Sequence, residues 1–126
     1  MSPTVIVVLV TFNRKECLKV CLRALEKQSV PIARVILIDN ASSDGTKEYV
    51  ETYDGTLSLD SCRLEVNTGG AGGFAFGLSR ARAVKSDWIW IMDDDVSPVP
   101  DCLESLLAAP DHFGVRQPCR FPRQGG

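Results

Sequence analysis

The sequence predicts an α/β fold, a mostly parallel sheet of about four strands with helices on both faces. Three observations carry that expectation. Short β-branched apolar runs alternate with segments of helical periodicity. The runs are apolar at successive positions, the pattern of strands buried on both faces. Every polar or glycine-rich cluster falls where a run ends, and ligands of open parallel sheets bind beyond the carboxyl ends of their strands.

The elements follow in order. Residues 4–11 form an apolar run bounded by Pro3 and Asn13 and read as the first strand. Asn13 is suited to cap a helix whose stripe is Cys17, Leu18, Cys21, Leu22 and Leu25, ending before Pro31. Residues 34–38 make the second strand, which terminates at Asp39. A polar stretch, residues 40–45, precedes a short helix over about residues 46–53. The third strand is placed at residues 64–66, running into a glycine-rich loop at 67–73 and a helix over about 74–84. Residues 88–92 form the fourth strand, ending at Asp93-Asp94-Asp95. Pro98 and Pro100 mark a loop before a last helix at about 101–109. Residues 1–113 are read as one domain and residues 114–126 as a loose tail.

Composition removes several function classes. A net charge of -2 argues against a basic nucleic-acid surface. The longest apolar run, residues 5–10, is far short of the roughly 20 residues of a membrane span, so no integral membrane segment is expected. It also lacks the flanks of a signal peptide. Five cysteines without a CxxC pair read as reduced cytosolic thiols, and His112 as the only histidine argues against zinc.

The strand-end clusters hold the chemistry. Three adjacent carboxylates repel, and a cation offsets them. Strand geometry would set Asp93 and Asp95 on one face and Asp94 on the other, a pair of oxygen donors suited to Mg²⁺ or Mn²⁺. Gly69, Gly70, Gly72 and Gly73 allow close backbone approach beside a helix start that favours an anion. Thr11, Phe12 and Arg14 supply backbone groups, a ring and a guanidinium, a set able to hold a base and counter a diphosphate. A rival pattern overlaps: residues 70–75 fit GxGxxA with acidic residues about 20 positions on, as in a dinucleotide fold.

Val7-Val8-Leu9-Val10-Thr11-Phe12-Asn13-Arg14, residues 35–46 with Asp39-Asn40-Ala41-Ser42-Ser43-Asp44-Gly45, Asn67 through Phe74, and Met92-Asp93-Asp94-Asp95 occur in one order and spacing. This ordered set resembles family 2 glycosyltransferases of the GT-A fold. Its last two motifs are most similar to the bacterial galactofuranosyl- and rhamnosyl-transferase branch. The resemblance implies a Rossmann-like nucleotide-binding half and a UDP- or dTDP-sugar donor. It places Thr11, Phe12 and Arg14 at the base and diphosphate and Asp39 on the uracil or thymine ring. Asn67, Gly69, Gly70, Gly72 and Gly73 would border the sugar nucleotide. Asp93 and Asp95 would hold divalent Mn²⁺ or Mg²⁺, with Asp94 nearer the ribose or donor sugar. It also implies an inverting transfer to a glycan acceptor, in the cytoplasm or at the inner face of the membrane, and is compatible with an oligomer.

The resemblance further calls for a general base well beyond the acidic triplet. Only 31 residues follow Asp95, and Asp101, Glu104 and Asp111 read as acids of the last helix or surface groups, so the base is expected to be absent from this chain. Two alternatives stand beside the transferase reading: a non-catalytic sugar-nucleotide-binding module, and a dinucleotide-binding protein using Gly70 to Ala75.

Overall fold

The computed structural model describes residues 3–108. The elements run β1 (Val5–Thr11), α1 (Lys15–Glu26), β2 (Arg34–Asp39), α2 (Thr46–Glu51), β3 (Leu59–Arg63), α3 (Gly69–Arg82), β4 (Trp88–Asp93) and α4 (Cys102–Ala108). The four strands form one sheet in the order β3-β2-β1-β4, and every pairing is parallel. Thr11 pairs with Asp39, Asp39 with Arg63, and Val10 with Asp93, so the carboxyl ends lie level.

All seven residues of β1 are buried, as an apolar strand covered on both faces requires. Its side chains alternate between two cores. Val7 and Leu9 pack with Leu18, Cys21, Leu22 and Leu25 of α1, and with Val35 and Leu37 of β2. Ile6, Val8 and Val10 pack on the opposite face with Ile36, Ile38 and Ala81, the last from α3. Each Leu so buried is worth about 1.5–3 kcal/mol of transfer free energy. The stripe expected on α1 holds except at Cys17, which is exposed.

Two expectations need correction. The third strand is at Leu59–Arg63, not 64–66. It is an edge strand, mostly polar, and its place is fixed by backbone pairing to β2 more than by its own pattern. Leu64 N–H still donates to Asp39 C=O (2.8 Å), which carries the chain off the sheet. The second concerns α3, which begins at Gly69, five residues before the expected start at Phe74. Glycine in a helix costs about 1 kcal/mol relative to alanine, so composition alone argues for a loop. Packing provides the opposing reason. A Cβ on Gly73 would sit 2.8 Å from Val10 Cγ1, and one on Gly77 would sit 2.6 Å from Val8 Cγ1. The helix lies against the sheet because those positions carry no side chain.

Beyond β4, Gln28 at the end of α1 ties down the next connection. Its Nε2 donates to Val99 C=O (2.8 Å), and its Oε1 accepts from Leu103 N–H (3.0 Å) at the start of α4. Among the described residues β4 has β1 as its strand neighbour, and its Ile91 is half exposed. The expected tail, Asp111, His112 and Ala109 lie outside the described residues.

Candidate functional site

Among the described residues the buried polar side chains are Thr11, Asp39, Asn40, Ser42, Thr46 and Asp94. They fall at the carboxyl ends of the strands, in the loops that leave them or, for Thr46, at the start of α2. Buried polar groups cost stability unless partnered, and here they are partnered chiefly with one another.

At the ends of β1 and β4, Thr11 Oγ1 donates to Asp94 Oδ2 (2.8 Å). Arg14 Nη1 lies 3.5 Å from Asp94 Oδ1 and 3.4 Å from Asp95 Oδ2. Burial pushes the Asp94 carboxyl above its usual range; the Thr11 hydrogen bond and the Arg14 charge pull it back, while Asp95 and Asp93 push further up. Beneath them, burial raises the Cys21 thiol to about 12, with Asp94 and Asp95 adding to the effect, so Cys21 is a protonated packing group. Exposure alternates along the triplet as expected, with Asp94 buried between exposed neighbours. The carboxylates that converge on one cationic point, however, are Asp94 and Asp95, because the strand ends at Asp93 and the chain turns.

That convergence fits a divalent cation by donor chemistry: two hard carboxylate oxygens within reach of a single positive centre. Among the described residues no three Asp, Glu, His or Cys side chains gather into a complete cage. An ion here would take its remaining ligands from a diphosphate and water.

The loop after β2 is braced from both sides. Asp39 Oδ1 accepts from Ser42 N–H (2.9 Å), and Arg63 Nη1 donates to Oδ2 (2.9 Å). Asn13 is not a helix cap. Its N–H donates to Ser42 Oγ (2.9 Å) and its Oδ1 accepts from Ser43 N–H (2.7 Å). Asp44 takes over the cap-like role, accepting from Lys15 N–H at 2.9 Å and Thr46 Oγ1 at 2.6 Å. Asn13 and Ala41 both sit at positive φ, 50° and 70°, and for Ala41 that is strained backbone within the site.

Asn40 fastens this loop to the glycine-rich segment. Its Oδ1 accepts from Thr68 N–H (2.8 Å) and Thr68 Oγ1 (3.2 Å), and its Nδ2 donates to Gly69 C=O (2.9 Å). Asn67 Oδ1 accepts from Gly69 N–H (2.8 Å). Gly69 has φ 77°, and nothing lies within 4 Å of a Cβ built at Gly69 or Gly70. Those two glycines are the open ones; a Cβ at Gly72 would meet Thr68, and at Gly73 Val10.

The family model for glycosyl transferase family 2 matches residues 6–119. The chain belongs to that family. It is 35% identical over 111 residues to galactofuranosyltransferase GlfT1 of Mycolicibacterium smegmatis, covering 88% of this chain and 36% of that protein. To the GlfT1 of Mycobacterium tuberculosis it is 37% identical over 122 residues, covering 93% and 39%. The chain thus spans little more than a third of the length of these relatives. Its fold matches Staphylococcus aureus TarS solved with UDP, at TM-score 0.72 and 26% identity over 83% of this chain and 31% of that one. A mannosyltransferase from Pyrobaculum calidifontis, solved with GDP-Man and Mn²⁺, matches at TM-score 0.70 and 26% identity over 87% and 34%.

The fold of this family 2 chain is the expected one. The structure gathers Thr11, Arg14, Asp94 and Asp95 into one cluster and Asp39 into a second. Phe12 stands 41% exposed in the turn after β1, available to a ring. Asn67, Gly69 and Gly70 form the lip of α3, while Gly73 is a packing position. Sequence reasoning took Asn40 only as part of the polar stretch after the second strand, without its link to Thr68 and Gly69, and missed Arg63. An amide buried directly after a strand and an arginine closing a polar strand are the signals that were there.

Proposed function

We propose that this chain is the donor-binding part of a glycosyltransferase that takes a UDP- or dTDP-sugar and transfers the sugar to a glycan acceptor with inversion. The observation that carries the reading is the convergence of Asp94 and Asp95 on the Arg14 guanidinium, beside Thr11, in a family 2 fold. Asp94 and Asp95 would hold Mn²⁺ or Mg²⁺, a pairing that substitutes Asp94 for the expected Asp93 and leaves Asp93 toward the donor. A divalent cation there supplies charge for a departing diphosphate. With the carboxylates neutralised, the Arg14 guanidinium would be free to meet the phosphate oxygens. Phe12 and Asp39 receive the base, and the open backbone at Gly69 and Gly70 admits the sugar nucleotide. The acceptor hydroxyl needs a general base, and we assign that task to a group outside these two clusters.

The test is calorimetry of the chain with UDP, with and without Mn²⁺, and with NAD⁺. UDP is expected to bind only with metal, and Asp95→Ala to abolish binding. Tight metal-free binding of NAD⁺ would overturn the reading. Release of UDP from a UDP-sugar, measured with and without an acceptor glycan, separates a transferase from a binding module.

A further inference from the structure

The Asp39–Arg63 pair carries more than the donor reading needs. Arg63 is the last residue of β3 and lies in register with Asp39, the last residue of β2. Its Nη1 reaches Asp39 Oδ2 at 2.9 Å, and the Asp39 side chain is only 6% exposed against 41% for Arg63. Ser42 N–H holds the other carboxylate oxygen at 2.9 Å. The carboxylate is thus gripped from two sides, yet each oxygen keeps further acceptor capacity, and the guanidinium keeps donors beyond the one spent on Asp39. An acceptor and a donor are fixed side by side at the tip of the sheet.

We propose that Arg63 is a positioning residue for base selection: by clamping Asp39 and adding its own N–H groups, it builds an acceptor–donor edge that takes a pyrimidine-2,4-dione. The inference rests on the donor-binding reading above. Uracil and thymine present a ring N–H flanked by carbonyls, the complement of that edge. Held in the register that fits uracil, cytosine presents its ring lone pair to the carboxylate and its amino group to the guanidinium, so acceptor would face acceptor and donor would face donor. UDP and CDP differ in the base alone, so diphosphate and metal contacts cancel in their ratio. Without Arg63 the carboxylate loses its clamp and its neighbouring donor, and the ratio falls.

The experiment is calorimetry on the full chain with Mn²⁺, using UDP and CDP against the chain and its Arg63→Lys, Arg63→Gln and Arg63→Ala variants. Thermal melts of each variant accompany the titrations. The unsubstituted chain is expected to prefer UDP. The preference should drop roughly tenfold or more in the Gln and Ala variants, as loss of a charged hydrogen bond implies, and less in the Lys variant. If Ala melts far below the parent chain, Gln and Lys carry the comparison. Unchanged UDP-to-CDP ratios in folded variants overturn the Arg63 inference and leave the donor reading intact. Failure of the unsubstituted chain to bind UDP overturns both.

Discussion

Replacing Gly77 with alanine tests how α3 reaches the sheet. The added Cβ would lie 2.6 Å from Val8 Cγ1 and 3.3 Å from Ile38 Cγ1. Carbon atoms pack at about 3.5–4.0 Å, so the contact with Val8 must open by roughly 1 Å. Val8 is fully buried and β1 is held by a strand on each side, so the helix is the partner that shifts. Such overpacking costs about 1–3 kcal/mol, against about 1 kcal/mol gained in helix propensity. The net expectation is a loss of up to about 2 kcal/mol, or a fall in Tm of up to roughly 10 °C for a domain of this size. Gly70→Ala is the control, because nothing lies within 4 Å of its Cβ. It gains about 0.5–1 kcal/mol from the same propensity and melts higher than the parent chain. The two variants are compared by thermal unfolding followed by circular dichroism, with UDP and Mn²⁺ titrated afterwards. Gly77→Ala should also weaken UDP, since the displaced helix carries Gly69 and Gly70 with it. A Gly77→Ala chain that melts as high as the Gly70→Ala chain refutes the packing argument.

Three further outcomes are expected. Asn40→Ala removes the partners of Thr68 N–H and Gly69 C=O, so urea unfolding should register a loss of about 2 kcal/mol, with faster hydrogen exchange at Thr68; normal exchange there would contradict the bridging role. Asp94→Asn relieves repulsion among three adjacent carboxylates while keeping an acceptor for Thr11, so it should raise Tm at pH 7 and abolish metal-dependent UDP binding; a lower Tm would mean that the Arg14 pairing outweighs the repulsion. The Asp44 carboxyl is held below its usual value, because hydrogen bonds from Thr46 and from Lys15 N–H outweigh the upward push of burial. Its contribution is therefore present above the unfolded carboxylate value of about 3.9 and lost as pH falls through the lower folded value. The Tm difference between the parent and Asp44→Asn should be steady from about pH 5 to 7 and close in acid, and a gap that widens in acid would reverse the assignment.

The sheet was legible because its central strands write their burial into consecutive residues. Residues 5–10 and 35–38 have no polar side chain to face water, which leaves few other places for them. Leu59–Arg63 was not legible, because an edge strand held by backbone bonds to β2 has little need of an apolar pattern. Likewise the start of α3 was hidden in glycines, whose local preference opposes the helix that tertiary packing imposes. In the site, residue type alone pointed to the acidic triplet, Thr11, Arg14 and Asp39. Which carboxylates converge depends on where the strand stops and the chain turns, and a count of positions does not hold that information. Asn40 and Arg63 act through partners 24 to 29 residues away, and no local spacing announces such a link.

The half-exposed Ile91 of β4 has a practical consequence for handling the molecule. It sits along the length of the strand, two residues before Asp93, whereas the polar cluster sits at the strand tips. A solubilising change at Ile91 and chemical changes at the tips can then be engineered separately.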